Sequence, residues 1–312
     1  MSPGGPDPGR RPDSDLSAHA SLVRPSVFAV EALGADGGVL ARGAGFLVGD
    51  GRVATARHLL EGAASARVRT AAGKEHPATG LLAEDAGTGL ALLLVPMPKG
   101  GAKPLPVTPR PLHDGERVLM VGSPAALEGA VAETVASDPW SFPDLGDAVP
   151  LQGRWPPESS GCPVLRRTGE VAGVALAPLV GGRVVRWAVP AVALERMAAS
   201  APATAPWKTV GPGLSGPALA GLGALLEGNS EEAVGLLSAA TERDPKDALA
   251  LCFLAEAHRR RGVHPAAAGA LEKASAIRPD DGSIRLALAA AYTRAGRSQD
   301  GVEVYKSLLR TR

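Results

Sequence analysis

Short apolar runs bounded by Gly, Pro or polar residues recur from residue 25 onward: PSVFAVEAL, GVLARGAGFLVG, RVATA, SARVRT and GLALLLVP. Runs of this length and punctuation predict the strands of an all-β barrel or sandwich. A proline-rich stretch at 96–111 reads as a connector, and a second set follows: ERVLMVGSP, GAVAETVAS, PVLRRTG, EVAGVALAPLV and RVVRWAVP. Two such sets predict two stacked barrels over residues 24–199. Residues 190–198 predict a short helix opened by Pro190. The composition of the stretch from Ser200 to Gly216 predicts a linker, bounded at 200–213.

Beyond residue 214 the apolar period lengthens to that of helices. Gly228, Gly262 and Gly296 are spaced by 34, as are Pro245 and Pro279. Residues at matching offsets recur: Ala220, Leu254 and Leu288; Ala224, His258 and Tyr292; Ala233, Ala267 and Gly301; Leu237, Leu271 and Tyr305. Each unit reads helix–turn–helix, so residues 214–312 predict an all-α solenoid. The pattern resembles three tetratricopeptide repeats with Ala and Leu in place of most large aromatics. That resemblance implies a concave groove for a peptide or protein partner, lined by Leu249, Cys252, Glu256, Arg259, Leu286, Ala290 and Thr293. The last helix leaves Val302, Leu308 and Leu309 to be covered, by the β region or by self-association.

Charge and cysteine usage narrow the function. Lys+Arg number 33 against 32 Asp+Glu, which argues against a dedicated nucleic-acid binder or a polybasic membrane anchor. Cys162 and Cys252 fall in different predicted domains, so no disulfide framework or metal cluster is expected, and no cofactor is implied. Residues 1–23 are rich in Pro, Gly and charge without an apolar core, which predicts a disordered leader rather than a signal peptide. With no apolar run long enough to span a bilayer, a cytoplasmic location is expected. The Ala/Gly/Arg-rich composition resembles that of proteins from high-GC bacteria.

One turn carries the chemistry: Glu158-Ser159-Ser160-Gly161-Cys162-Pro163, leading into an apolar strand. A serine hydroxyl needs a base beside it and donors for the charge it creates. His58, just after the strand RVATA, is the candidate base. Gly43-Ala44-Gly45-Phe46, then Thr55-Ala56-Arg57-His58, then Ser160-Gly161-Cys162-Pro163-Val164, with Glu170-Val171-Ala172-Gly173-Val174 and Trp187-Ala188-Val189-Pro190 behind, resemble the trypsin-like serine peptidases, most closely their bacterial HtrA-like branch. The resemblance covers about residues 25–198. It implies a double β-barrel, a cleft between barrels, Ser160 as nucleophile and His58 as general base. Ser159 is one residue out of register. Cys162 reads as a small buried residue.

The sequence departs from that family in ways that bear on activity. The position of the third catalytic residue, an Asp before the strand Leu90–Leu94, is Gly89. Glu84 and Asp85 lie upstream, and Asp85 could substitute only if the Ala86–Gly89 loop folded back. The oxyanion-hole amides implied by the resemblance are those of Glu158 and Ser160, and the family's glycine is absent at Glu158. Arg154 falls where the resemblance places the floor of a specificity pocket. His76, His113 and His258 have no evident partners, and Arg259–Arg261 ends a helix favourably. Two functions follow as expectations. One is a weakly active or partner-activated serine endopeptidase with a partner-binding repeat tail, acting on a protein or peptide in the cleft. The other is an inactive pseudopeptidase serving as a protein-binding scaffold.

Overall fold

The computed structural model describes residues 20–98, 101–122, 131–142, 146–153, 155, 157–211, 213 and 216–310. The first half contains β1 (Val27–Leu33), β2 (Val39–Gly49), β3 (Arg52–Ala56), β4 (Ser65–Arg69), β5 (Glu75–Pro77), β6 (Gly80–Asp85) and β7 (Leu90–Leu94). They form one antiparallel sheet in the order β5-β4-β1-β2-β3-β7-β6. The run GLALLLVP is apolar throughout because β7 is buried on both faces. Ala91 and Leu93 point into the core of this sheet with Phe28, Val30, Leu47 and Val53. Leu90 and Leu92, alternating with them, point into the core shared with the rest of the molecule. Period-two alternation makes this possible.

The next strands are β8 (Arg117–Val121), β9 (Val131–Val135), β10 (Trp140–Phe142), β11 (Gly146–Ala148), β12 (Pro163–Leu165), β13 (Val171–Leu176), β14 (Leu179–Val180), β15 (Arg183–Val184) and β16 (Trp187–Pro190). Five of them form a second sheet, β16-β13-β12-β8-β9, while β10-β11 and β14-β15 stand apart as two hairpins. The second set is thus smaller and more broken than the sequence pattern predicts. Its strands are short, and two pairs leave the sheet to meet the helices. Helix α1 (Ala191–Ser200) follows directly on Pro190. It packs back across the first sheet, where Arg52 Nη1 donates to Ala198 O at 2.9 Å.

The stretch predicted as a linker is strapped to the first sheet. Trp207 Nε1 donates to Ala63 O at 3.1 Å, Lys208 Nζ pairs with Glu84 at 3.0 Å, and Gly62 N donates to Val210 O at 3.0 Å. A side chain at Gly80 would collide with the carbonyl of Ala205.

Six helices follow: α2 (Gly216–Leu226), α3 (Ser230–Arg243), α4 (Ala248–Arg260), α5 (His264–Ile277), α6 (Gly282–Arg294) and α7 (Ser298–Arg310). Each packs on the next. The 34-residue period has a concrete local cause. Gly228, Gly262 and Gly296 have φ of 81°, 73° and 81°, and each terminates a helix. The amide beyond each glycine reaches back to close the last turn: Asn229 N to Ala224 O, Val263 N to His258 O and Arg297 N to Tyr292 O, at 2.8–2.9 Å. Only a residue that tolerates left-handed backbone makes such a stop at low cost. The starts repeat as well, since Asp247 and Asp281 accept from the amides of Ala250 and Ile284 to cap α4 and α6. Among the described residues no helix is long and apolar enough to cross a membrane.

Candidate functional site

The G-x-G-F run has a packing reason. A methyl group on Gly43 would run into Leu59 and lie 2.7 Å from Ser160 O, and one on Gly45 would lie 2.7 Å from Val30. Gly43 lets β2 approach both the turn that carries His58 and the loop that carries Ser160, and Gly45 lets it lie close against β1 and β3. Thr55, fully buried, donates its hydroxyl to Ala44 O at 2.7 Å and ties β3 to β2. His58 then sits in a 3-10 turn, Arg57–Leu60, at the edge of the first sheet. Ser160 comes from the loop entering β12 of the second sheet. Ala44 N donates to Ser160 O at 2.7 Å across the two halves.

The structure brings the two predicted residues together: Ser160 Oγ and His58 Nε2 are 3.0 Å apart. Gly161 holds that corner with φ of 88°. A side chain there would collide with Ala44 O and crowd Thr55 Oγ1 at 2.9 Å. Burial pushes the His58 imidazole down to about 4, so it is the neutral, proton-accepting form near pH 7.

The corner is nonetheless shut. Ser160 is 0% exposed. Its hydroxyl also accepts the backbone N–H of Ala177 at 2.9 Å, which places the chain just beyond β13 directly against Ser160. The residues before Ser160 form a 3-10 turn, Pro157–Ser159. The Glu158 side chain faces solvent.

No carboxylate hydrogen-bonds His58 among the described residues, and Asp85 is not brought to it. Asp85 Oδ1 instead accepts from the amides of Gly87 and Thr88 at 2.8 and 3.2 Å, so the Ala86–Gly89 turn consumes the carboxylate that could have substituted. Gly89 itself has φ of 72°, and its carbonyl accepts from Arg57 N at 2.8 Å. A cavity of about 440 Å3 opens beside His58, bounded by Ala86, Gly87, Gly89, Leu176 and, from the helical side, Gly216 and Leu219.

Arg57 was not singled out by the sequence reading, yet it anchors the histidine's turn. It is buried and donates from Nε to Glu84 at 2.7 Å, from Nη1 to Glu61 at 3.2 Å and from Nη2 to Gly211 O at 3.1 Å. Burial raises the Glu61 carboxyl against the pull of Arg57 and the Gly213 amide. For Glu84 burial acts in the same sense, but Lys208 and Arg57 outweigh it and hold that carboxyl below the usual range. The i,i+4 spacing of Arg57 and Glu61 was the one local signal for this network.

The other candidates fall as follows. Cys162 is fully buried and its thiol is pushed up to about 12 by burial, which makes it inert. Arg154 lies outside the described residues. His113, expected to lack a partner, meets Glu116 at 2.6 Å. No cluster of His, Cys, Asp or Glu among the described residues could hold a metal ion. Of the predicted groove residues, Cys252, Glu256, Arg259 and Ala290 line one cavity of about 140 Å3. Leu286 lines a different one, at the end of the array. Leu249 is buried, and Thr293 turns its hydroxyl back to Ala289 O.

Comparison with known proteins agrees with this geometry. Residues 43–174 match the family model described as trypsin-like peptidase domain. A stretch of 159 residues, 51% of this chain, is 28% identical to the anti-sigma-I factor RsgI9 of Acetivibrio thermocellus and spans 22% of that protein's length. The matched span of the family model takes in both His58 and Ser160 and breaks off before α1, so residues 43–174 of this chain are a trypsin-like peptidase domain.

Proposed function

We propose that the protein is a serine endopeptidase homologue whose Ser160–His58 pair is assembled but closed at rest, with a helical tail of tetratricopeptide type that binds a peptide or protein partner. The observation that carries this reading is the 3.0 Å Ser160–His58 contact around a nucleophile with 0% exposure. In the mechanism supported here, His58 Nε2 takes the Ser160 proton as Oγ attacks a peptide carbonyl, and returns it to the departing amine. Attack requires the segment carrying Ala177 to release Oγ. Arg57, Glu84 and Glu61 act as positioning residues for the His58 turn.

Magnitudes set the expected activity. Losing the carboxylate behind the imidazole costs about 10⁴ in turnover, and losing one oxyanion donor about 10²–10³. Resting hydrolysis is therefore slow. The assay is hydrolysis of an unfolded protein substrate with product termini identified. Slow cleavage lost in Ser160→Ala supports the reading; cleavage that survives Ser160→Ala contradicts it.

A second reading is favoured because no carboxylate hydrogen-bonds His58 among the described residues: an inactive scaffold that keeps the fold and binds through its helices. Stable peptide binding with no cleavage under any condition selects it. We also propose self-association through the last helices, where Leu286, Val302, Tyr305 and Leu309 are exposed. A monomeric mass by light scattering at high concentration contradicts that.

A further inference from the structure

The groove predicted to hold a partner already holds part of this chain. Trp140 and Phe142 are two residues apart on β10, so they project from the same face of the strand. Phe142 packs edge-on against Phe253 of α4, with ring centroids 4.7 Å apart at 90°. The Arg260 guanidinium lies 3.5 Å over the Trp140 ring. Glu256 accepts from Arg259 at 2.6 and 2.7 Å and from Arg260 at 2.7 Å, which fixes Arg260 in place for that stacking. Phe253 is fully buried, so the contact is set in the core of the array. Both geometries are attractive beyond area alone.

Phe142 does not fill the space it enters. The cavity of about 140 Å3 beside it is lined by alanines of three helices, among them Ala255 of α4, Ala267 of α5 and Ala291 of α6, and by the polar Glu256, Arg259 and Arg294. Small walls around an aromatic tip leave room for a larger ring. The hairpin is also tied to the second sheet. Val149, just after β11, exchanges backbone hydrogen bonds with Ala188 at 2.8 Å, and the chain then runs on to the turn before Ser160.

We propose that the groove between α4, α5 and α6 is a binding site for an extended segment with two aromatics at i and i+2, and that the β10–β11 hairpin is its resident occupant in cis. An external segment of the same chemistry competes with the hairpin and displaces it. This rests on the reading of the helical tail as a peptide-binding array, and names the ligand class that array takes. Tethering explains why the cis occupant dominates at rest, since a linked ligand acts at roughly millimolar effective concentration.

The test uses the full chain and a fluorescent synthetic peptide with the sequence of residues 137–149, followed by anisotropy. Expected is binding to the Trp140→Ala/Phe142→Ala variant at least about tenfold tighter than to wild type, because the cis competitor is gone. The same peptide with Trp in place of its Phe142 should bind tighter still, by filling the cavity. Should the double variant fail to fold, hydrogen exchange of the hairpin amides in wild type gives the answer. Saturating peptide should speed exchange at 140–142 and 146–148, and so should Arg260→Ala. Equal affinity for variant and wild type, or unchanged exchange at saturation, overturns the proposal. Equal binding of an aromatic-free extended peptide overturns it while the peptide-array reading stands, and no binding of either peptide removes both.

Discussion

A methyl group built on Gly89 would lie 3.0 Å from Leu176 Cδ1, so Leu176 crowds the position at which the resemblance to trypsin-like peptidases implies a carboxylate. Gly89→Asp alone meets Leu176 and a left-handed backbone, which costs about 1–2 kcal/mol for residues other than glycine. Its reaction with a serine-directed fluorophosphonate should stay at the wild-type rate. Gly89→Asp with Leu176→Ala should react at least about tenfold faster, a fraction of what a full carboxylate supplies. Rescue by the single substitution would show that Leu176 does not hold that space.

The depressed His58 value sets the pH dependence. His58 titrates at about 4 in the fold against 6.5 ordinarily. Between these values the unfolded chain binds the proton and the folded one does not, so stability rises with pH across pH 4–6.5 and falls as the solution is acidified. The Ser160 reaction rate should be flat from pH 8 to 5 and fall only near 4. A midpoint at 6.5 in the rate profile would mean that the imidazole is solvated.

Gly161 should tolerate no side chain. Gly161→Ala places a carbon against Ala44 O at a φ of 88°, and backbone strain of this kind costs about 1–3 kcal/mol before the collision is added. The urea midpoint should drop accordingly, and Ser160 labelling should be lost. A variant with the wild-type midpoint would contradict the described corner.

Glu31 is a buried carboxylate in the first sheet, 2% exposed, held by Arg42 at 3.1 Å, Arg67 at 2.7 Å and Arg69 at 3.4 Å. Without it Arg67 and Arg69 keep Glu75, at 3.2 and 2.7 Å, and Arg42 is largely exposed. Glu31→Ala should cost about 1.5–3 kcal/mol by denaturant unfolding, the range for lost hydrogen bonds to charged groups. A loss under about 1 kcal/mol would place the cluster in the class of solvated surface pairs.

The parts of the molecule that were legible in the sequence are those with a local cause. The β7 run is apolar because both its faces are buried. The glycines at 228, 262 and 296 mark helix ends because each takes a left-handed turn. Ser160 and His58 stood out because Gly161, Gly43 and Thr55 are needed to bring two strand ends together. What stayed hidden depends on residues far apart in the chain and carries no period. Lys208 reaching Glu84, Ala177 closing on Ser160, and Phe142 meeting Phe253 follow from how the sheets and helices are placed, and no spacing announces them. The strap at 205–213 was hidden for a related reason. Its Pro/Ala/Gly composition is that of a free linker, yet Trp207, Lys208, Val210 and Gly211 tie it down.

The central claim is that Ser160 and His58 form a working but closed nucleophile–base pair, and intact-mass measurement after incubation with a fluorophosphonate at neutral pH tests it most directly. The account predicts slow addition of a single phosphonate at Ser160, absent in Ser160→Ala and reduced by about 10² or more in His58→Ala. No addition after exhaustive incubation, or addition that persists in Ser160→Ala, would contradict it.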